Sequence, residues 1–226
     1  MVLTQQQIFG LNEQHLVTLS DGHKLIGEVA DQFTKMQLAA DAKGFDLQIC
    51  SSHRSFDRQL SIWNRKWCGE LPLYDLQNNE VDHCSLTSVE RIHAIMLWSA
   101  LPGASRHHWG TDFDFFDKRA VEKWDGCFSL IPQEYEQNGP CEGLSNWINE
   151  NASDFGFVLP YKEYVGGVAR EPWHLSYAPI ADKIVQTIAL DGLTKVLLDN
   201  DLKGKEVVIQ HLNALFARYT LNKGSQ

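Results

Sequence analysis

Two short segments carry most of the side chains able to bind a metal or move a proton. The first is Ser105-Arg-His-His-Trp-Gly-Thr-Asp-Phe-Asp114; the second, much later in the chain, is Glu171-Pro-Trp-His174. Catalytic zinc sites take three protein ligands of His, Asp or Glu type and keep a fourth position for water or substrate. His107, Asp114 and His174 form such a set. Glu171 stands next to the last of them, a carboxylate placed to take the proton of an attacking water. The local geometry is compatible with this. Asp112 and Asp114 lie two residues apart, so on a strand they share a face opposite Phe113 and Phe115, and on spacing alone either carboxylate reaches a metal. Gly110 falls where the backbone needs an unusual turn to aim His107 back at that strand. Pro172 holds Glu171 out of helical conformation. The pattern therefore differs from a helical His-Glu-x-x-His site, and a turn through Pro172 and Trp173 has to bring Glu171 and His174 to one centre.

Taken singly, each feature has a plainer reading. A His-x₆-Asp pair is more often incidental than a metal site, and Glu-x-x-His is no stronger. Trp109 and Trp173 read by default as packing residues, His108 as a neighbour of His107, and Arg54 as a solvated loop residue. Histidines 15, 23, 53, 83, 93 and 211 lack ligand spacing. The five cysteines, at 50, 68, 84, 127 and 141, are odd in number and contain no Cys-x-x-Cys pair. Free thiols in a reducing compartment are the expectation, with no support for Cys68 or Cys141 as a nucleophile.

The elements that must position these groups are readable from periodicity. Ile26, Val29, Ala30, Phe33, Met36 and Ala40 recur at helical steps up to Gly44. Phe45 to Cys50 alternates as a half-buried strand, with 51–54 as its exit loop. Ser55 is a plausible N-cap for a helix reaching Lys66. Residues 67–85, with Gly69, Pro72, Asn78 and Asn79, read as a loop insertion. Thr87 and Glu90 have capping-box spacing, and the helix they start is stopped by Pro102-Gly103. Asp112 to Phe116 alternates strictly and is a strand. Leu144, Trp147, Ile148 and Phe155 mark a helix closed by Gly156. Residues 164–168 read as a strand or an ordered loop, and 174–177 as a short strand. From Pro179 the pattern is helical, with Gly192 and Gly204 breaking the tail. Irregular mixing of strands and helices points to an α+β fold.

Composition narrows the function. At 226 residues, 43% hydrophobic and 22% charged, the chain is ordinary for a soluble protein of one large domain or one domain with an appendage. A net charge of −9 argues against nucleic acid as a partner, because phosphate binding needs a basic face. No apolar run is long enough to span a membrane. The N-terminus lacks the features of a secretory signal, which favours the cytoplasm; the periplasm or cell wall is the expectation if an export signal has been removed.

In combination the motifs are more specific. The chain resembles the VanY-like D-alanyl-D-alanine carboxypeptidases, a zinc peptidase family that includes LD-carboxypeptidases of peptidoglycan. The resemblance rests on Ser105-x-His107-x-x-Gly110-x-x-x-Asp114, on Glu171-Pro-Trp-His174, and on Arg54-Ser55-Phe-Asp-Arg-Gln59, in the family's order and across roughly residues 45 to 180. It implies Zn²⁺ held by His107, Asp114 and His174, with Glu171 as base and then acid. It further implies substrate contacts from Arg54, Ser55, Gln59, Ser105 and Trp173, with Arg54 also counted as catalytic, either adding to the stabilisation of the tetrahedral oxyanion or binding the free C-terminal carboxylate. The implied fold is a small antiparallel sheet carrying the zinc site and flanked by helices, with residues 1–182 as the peptidase domain and 183–226 as a helical extension packed on it. The implied substrate is a peptidoglycan stem peptide. LD-cleavage of a tetrapeptide is the first expectation, DD-cleavage the next, and an endopeptidase as in related phage lysins a further one. A hedgehog-type binding module without peptidase activity is the alternative of a different class. Two departures stand out: Asp112 occupies a place usually held by a small residue, and Ile62 and Trp63 stand where many relatives carry a substrate-facing Tyr.

Overall fold

The alternation of Asp and Phe at residues 112–116 does form a strand, and the sheet is assembled around it. The computed structural model describes residues 2–224, so Met1, Ser225 and Gln226 at the outer ends of the two expected segments lie outside the described residues. The chain starts with a short helix α1 (Gln5–Ile8) capped by Thr4, then a hairpin of β1 (Leu16–Thr18) and β2 (Lys24–Ile26). Helix α2 (Gly27–Asp41) buries Val29, Ala30, Phe33, Met36 and Ala40, the apolar stripe expected from the sequence. Strand β3 (Leu47–Ser51) follows, then α3 (Phe56–Trp67), whose N-cap Ser55 accepts from the Arg58 amide.

Residues 67–85, expected as a loop, contain a small hairpin of β4 (Leu73–Tyr74) and β5 (Glu80–Val81) and a 3₁₀ turn. Helix α4 (Ser88–Met96) begins with the Thr87/Glu90 capping box. The chain then runs through a 3₁₀ turn at Arg106–His108 into β6 (Asp112–Asp117), α5 (Lys118–Val121), α6 (Glu142–Asn151), β7 (Phe157–Val158) and β8 (His174–Tyr177). Residues 164–168 are an ordered loop. Three helices finish the chain: α7 (Ala178–Thr187), α8 (Leu190–Asp199) and α9 (Lys205–Leu215), the last running on into a π turn at 216–220. Gly192, expected to break the tail, lies inside α8; the break falls at Ile188 and Ala189, whose backbones are extended. Gly204, at φ +71°, does interrupt it.

The main sheet is four-stranded and antiparallel in the order β3-β6-β8-β7. One face of β6 sends Phe113 and Phe115 into the core, where Phe113 meets Phe33 of α2 and Phe157 of β7 edge-on. Burying aromatic rings of this size makes the register expensive to slip, because a one-residue shift would move the two carboxylates into that core. The other face carries Asp112 and Asp114. An α+β fold with a small antiparallel sheet and a helical C-terminal part is what the sequence led us to expect. The expected boundary at residue 182 falls within α7, and helices beyond it share the core: Leu193, Leu197, Val208, Leu212 and Leu215 are all buried. Trp63 of α3 also donates to the Lys203 carbonyl at 3.0 Å.

Candidate active site

Sheet register is what joins the two motif segments. Asp114 of β6 is the direct cross-strand partner of His174 on β8, and on its other side it pairs with Ser51 at the end of β3. The loop after β3 therefore runs past the same point and delivers Ser52 and Arg54. The Arg54 amide donates to the His107 carbonyl at 3.0 Å, which ties that loop to the 3₁₀ turn bearing His107. Gly110, at φ +73°, makes the reversal between that turn and β6; a Cβ there would sit 2.2 Å from the Leu16 side chain. Glu171 reaches the centre through the Pro172-Trp173 turn, closed by the His174 amide on the Glu171 carbonyl at 3.2 Å.

The result is a buried cluster. His107 Nε2 lies 3.4 Å from Asp114 Oδ2, and His174 Nδ1 lies 3.3 Å from Asp114 Oδ1 and 3.4 Å from Glu171 Oε2. One donor atom from each of His107, Asp114 and His174 falls within 4.8 Å of the others. Each imidazole is oriented from behind. His107 Nδ1 donates to the Ser52 carbonyl at 2.9 Å, which leaves Nε2 facing inward as a lone pair. His174 Nε2 donates to Asp112 Oδ1 at 3.0 Å, which leaves Nδ1 facing inward. Carboxylates and carbonyls behind ligand histidines fix tautomer and ring direction in this way. Asp114 Oδ1 is buried and makes no hydrogen bond. Two inward lone pairs and an orphaned carboxylate oxygen at one point form the donor set that zinc takes, so the residues present fit the ion.

The electrostatics agree. Burial alone would raise the Asp114 pKa, but His107 and His174 beside it hold it far below the usual carboxylate range. Burial likewise disfavours charge on His174, yet the carboxylates of Asp112, Asp114 and Glu171 around it outweigh that and hold its pKa well above 6.5. Carboxylates buried this close together favour a positive charge at the point they share. Asp112, of the two open candidates on the strand, takes the outer position. It is fully buried and accepts from Arg106 Nε at 2.7 Å, Thr111 Oγ1 at 2.5 Å, Ser176 Oγ at 3.2 Å and His174. Burial opposes its charge, but Arg106 and His174 lower its pKa to about 2.

The cluster forms the wall of a cavity of about 310 Å³ lined by Arg54, Ser105, Glu171 and Trp173 among others. Trp173 stacks on Trp98 with ring centres 6.2 Å apart. Arg54 is half-buried and donates to Gln59 Oε1 at 2.8 Å and Ser51 Oγ at 3.3 Å. Ser55 and Gln59 do not line the cavity. The Ser55 hydroxyl is committed to capping α3, whereas buried Gln59 bridges Arg54 to the Ala100 carbonyl at 2.7 Å and so fixes the Arg54 side chain. His108, buried beside His107, is structural: Nδ1 donates to the Arg54 carbonyl at 2.6 Å and Nε2 accepts from the Gly103 amide at 3.0 Å. Sequence reasoning missed Arg106 and Tyr161. A buried acid at position 112 demands a nearby cation, which was a signal for Arg106; Tyr161, whose ring lies edge-on to His174 at 5.0 Å, left none.

A buried His/Asp/His cluster beside a carboxylate, with an arginine lining the same cavity, is a candidate metal site on an α+β scaffold. The family model for VanY, the D-alanyl-D-alanine carboxypeptidases, matches residues 22–180, and the chain belongs to that family. An uncharacterised protein of Haemophilus influenzae is 36% identical over 121 residues, covering 53% of this chain and 92% of its own length. Among solved structures, the LD-carboxypeptidase LdcB is similar at a TM-score of 0.54 and 23% identity, covering 96% of this chain and 81% of the other. A mutant of the vancomycin-resistance D,D-pentapeptidase VanY in complex with Zn(II) is similar at a TM-score of 0.51 and 23% identity, covering 87% and 92%. These likenesses establish the shared fold.

Proposed function

We propose that the protein is a zinc-dependent carboxypeptidase that releases terminal D-Ala from peptidoglycan stem peptides, acting first on a tetrapeptide (LD-cleavage) and next on a pentapeptide (DD-cleavage). The observation that carries the reading is the convergence of His107, Asp114, His174 and Glu171 on one point of a cavity that Arg54 also lines. Family membership supports the peptidase class, and the Zn(II)-bound pentapeptidase of the same fold supports the metal. The fold is shared with the LD-carboxypeptidase LdcB and with the D,D-pentapeptidase, so it supports a site for stem peptides of either length.

His107, Asp114 and His174 would hold zinc, which supplies Lewis acidity that makes water a usable nucleophile near neutral pH and polarises the scissile carbonyl. Glu171 takes the proton from water as the amide carbon is attacked, and returns it to the leaving amine. Arg54, held by Gln59 and Ser51, presents a planar cation to the C-terminal carboxylate, which suits an exopeptidase. A binding module of the hedgehog type needs neither Glu171 beside the cluster nor a cation lining the cavity. The test is to incubate the zinc-loaded protein with tetrapeptide and pentapeptide stems and measure free D-Ala. Release from the tetrapeptide is expected, and release from neither overturns the reading. Glu171→Ala should retain zinc and lose roughly 10²–10⁴ in rate, the range for a general base; near wild-type turnover removes Glu171 from the mechanism.

A further inference from the structure

Where α3 and the segment after α4 meet the cavity, Arg54 lines it directly and a second cation, Lys66, stands behind the lining residue Ser99. Neither Arg54 nor Lys66 has an ion-pair partner among the described residues; Arg54 is held by the neutral Gln59 and Ser51, and Lys66 Nζ donates to Ser99 Oγ at 2.7 Å. Ser99 and Ala100 line the cavity with Arg54 and Ile62, and Ile62 lies one helical turn before Lys66 on α3. Burial is the main cause that pulls the Lys66 pKa down, to about 8; the charge of Arg54 adds to it and Glu171 opposes it, so all three belong to one charge cluster. Unpaired cations in a half-buried corner cost desolvation energy that a bound anion would relieve.

The hydrogen-bond direction is informative. An ammonium has donors only, so the Ser99 hydroxyl must accept from Lys66. Its own proton is then free, and among the described residues no acceptor takes it. The Ser99 amide is separately occupied, bonded to the Ile95 carbonyl at 2.9 Å. Polarised by the ammonium, this hydroxyl is a strong donor on the cavity wall that Arg54 shares.

From this we infer that Lys66 and Ser99 form the second half of the site for the substrate's free C-terminal carboxylate, with Ser99 touching it and Lys66 acting through Ser99 as a positioning residue. The inference rests on the exopeptidase reading and deepens it. Arg54 grips the carboxylate from one side, and the Ser99 hydroxyl donates from the other. Ile62, on the same helical face, offers apolar surface to a small terminal side chain. The ligand class is a compact α-carboxylate, and an amide at that position would set its NH₂ against donors on both sides.

The test uses the full-length zinc-loaded protein, with N-acetyl-D-alanine and its amide as probes titrated calorimetrically, and D-Ala release from stem peptide measured in parallel. Wild type should bind the acid in preference to the amide. Ser99→Ala and Lys66→Met should each raise KM about tenfold, the size of one lost charge-assisted hydrogen bond, with a much smaller change in kcat. Both should lose the acid-over-amide preference to the same extent, and the double variant should lose no more than either single one, because the pair acts as a unit. Lys66→Arg should restore part of the preference by restoring the charge. If wild type turns over peptide but both single variants keep its KM and its preference, Lys66 and Ser99 are merely structural and the inference falls. If wild type releases D-Ala from no stem peptide, the failure belongs to the exopeptidase reading itself.

Discussion

Asp112→Asn separates the outer support of the proposed metal centre from the centre itself. Asp112 is fully buried, and its neighbours Arg106, Thr111, Ser176 and His174 all donate to it. A carboxylate can satisfy four donors because it only accepts; an asparagine presents an NH₂ on one side and meets donor with donor. The substitution also strips Arg106 of its counterion, and Arg106 is itself largely buried, with a side-chain exposure of 12%. Breaking a buried ion pair from one side costs about 3–5 kcal/mol. For a chain of this size each kcal/mol is worth roughly 2–4 °C, so Tm should fall by about 6–20 °C. His174 simultaneously exchanges a charged acceptor for a neutral amide oxygen, which weakens the bond that points its Nδ1 at the cluster and should weaken zinc binding about 10–100-fold. The assay is thermal denaturation in chelator and in excess zinc, together with competition for zinc against a chromophoric chelator. A variant with unchanged metal-free Tm and unchanged zinc affinity would refute the argument that the Asp112 charge holds the site from behind.

Three further outcomes follow from the same geometry. Burial holds His108 at a pKa of about 3 and His53 at about 4, against 6.5 for the free side chain. Both stay neutral in the fold while the unfolded chain takes up protons below pH 6.5, so their contribution to stability is full above that pH and is lost as pH falls toward 3–4. In an NMR titration neither ring should change charge between pH 7 and 5, and an ordinary midpoint for His108 would contradict its buried, doubly bonded setting. Gly10, at φ +75°, leaves room for a Cβ only 2.5 Å from His108 Nδ1 and 2.9 Å from the Phe56 amide. Gly10→Ala should therefore destabilise by about 1–3 kcal/mol in urea denaturation, and a neutral result would mean that the His108 ring shifts freely. Arg54→Lys keeps the charge but not the planar fork, so KM for stem peptide should rise about tenfold while the protein still binds zinc; an unchanged KM would take Arg54 off the carboxylate.

Much of this architecture was legible because it depends on local pattern. The apolar stripe of α2, the caps at Ser55 and Thr87, and the alternation of Asp112 to Phe116 each reflect a periodicity that a single element imposes on its own residues. The two hairpins, β1–β2 and β4–β5, escaped because strands of two or three residues are too short to show alternation. Gly192 was misread for a related reason. Its intrinsic helix cost is about 1 kcal/mol, and packing of neighbouring Leu193 in the core overrides it.

The sequence by itself determined the chemical inventory: two imidazoles, two strand carboxylates, a spare glutamate and an arginine, in motifs whose residue types suit a metal and a proton transfer. Which of the two strand acids faces the centre and which supports it was decided only by the fold. Both Asp112 and Asp114 point to the same side of β6, and their roles diverge because Asp114 pairs in register with His174 while Asp112 meets Arg106. The same holds for Lys66 and Ser99, which no motif connects and which α3 and the segment after α4 bring to 2.7 Å. Periodicity and motif spacing are properties of one segment, whereas register and charge pairing are settled between segments, when burial forces each polar group to find a partner.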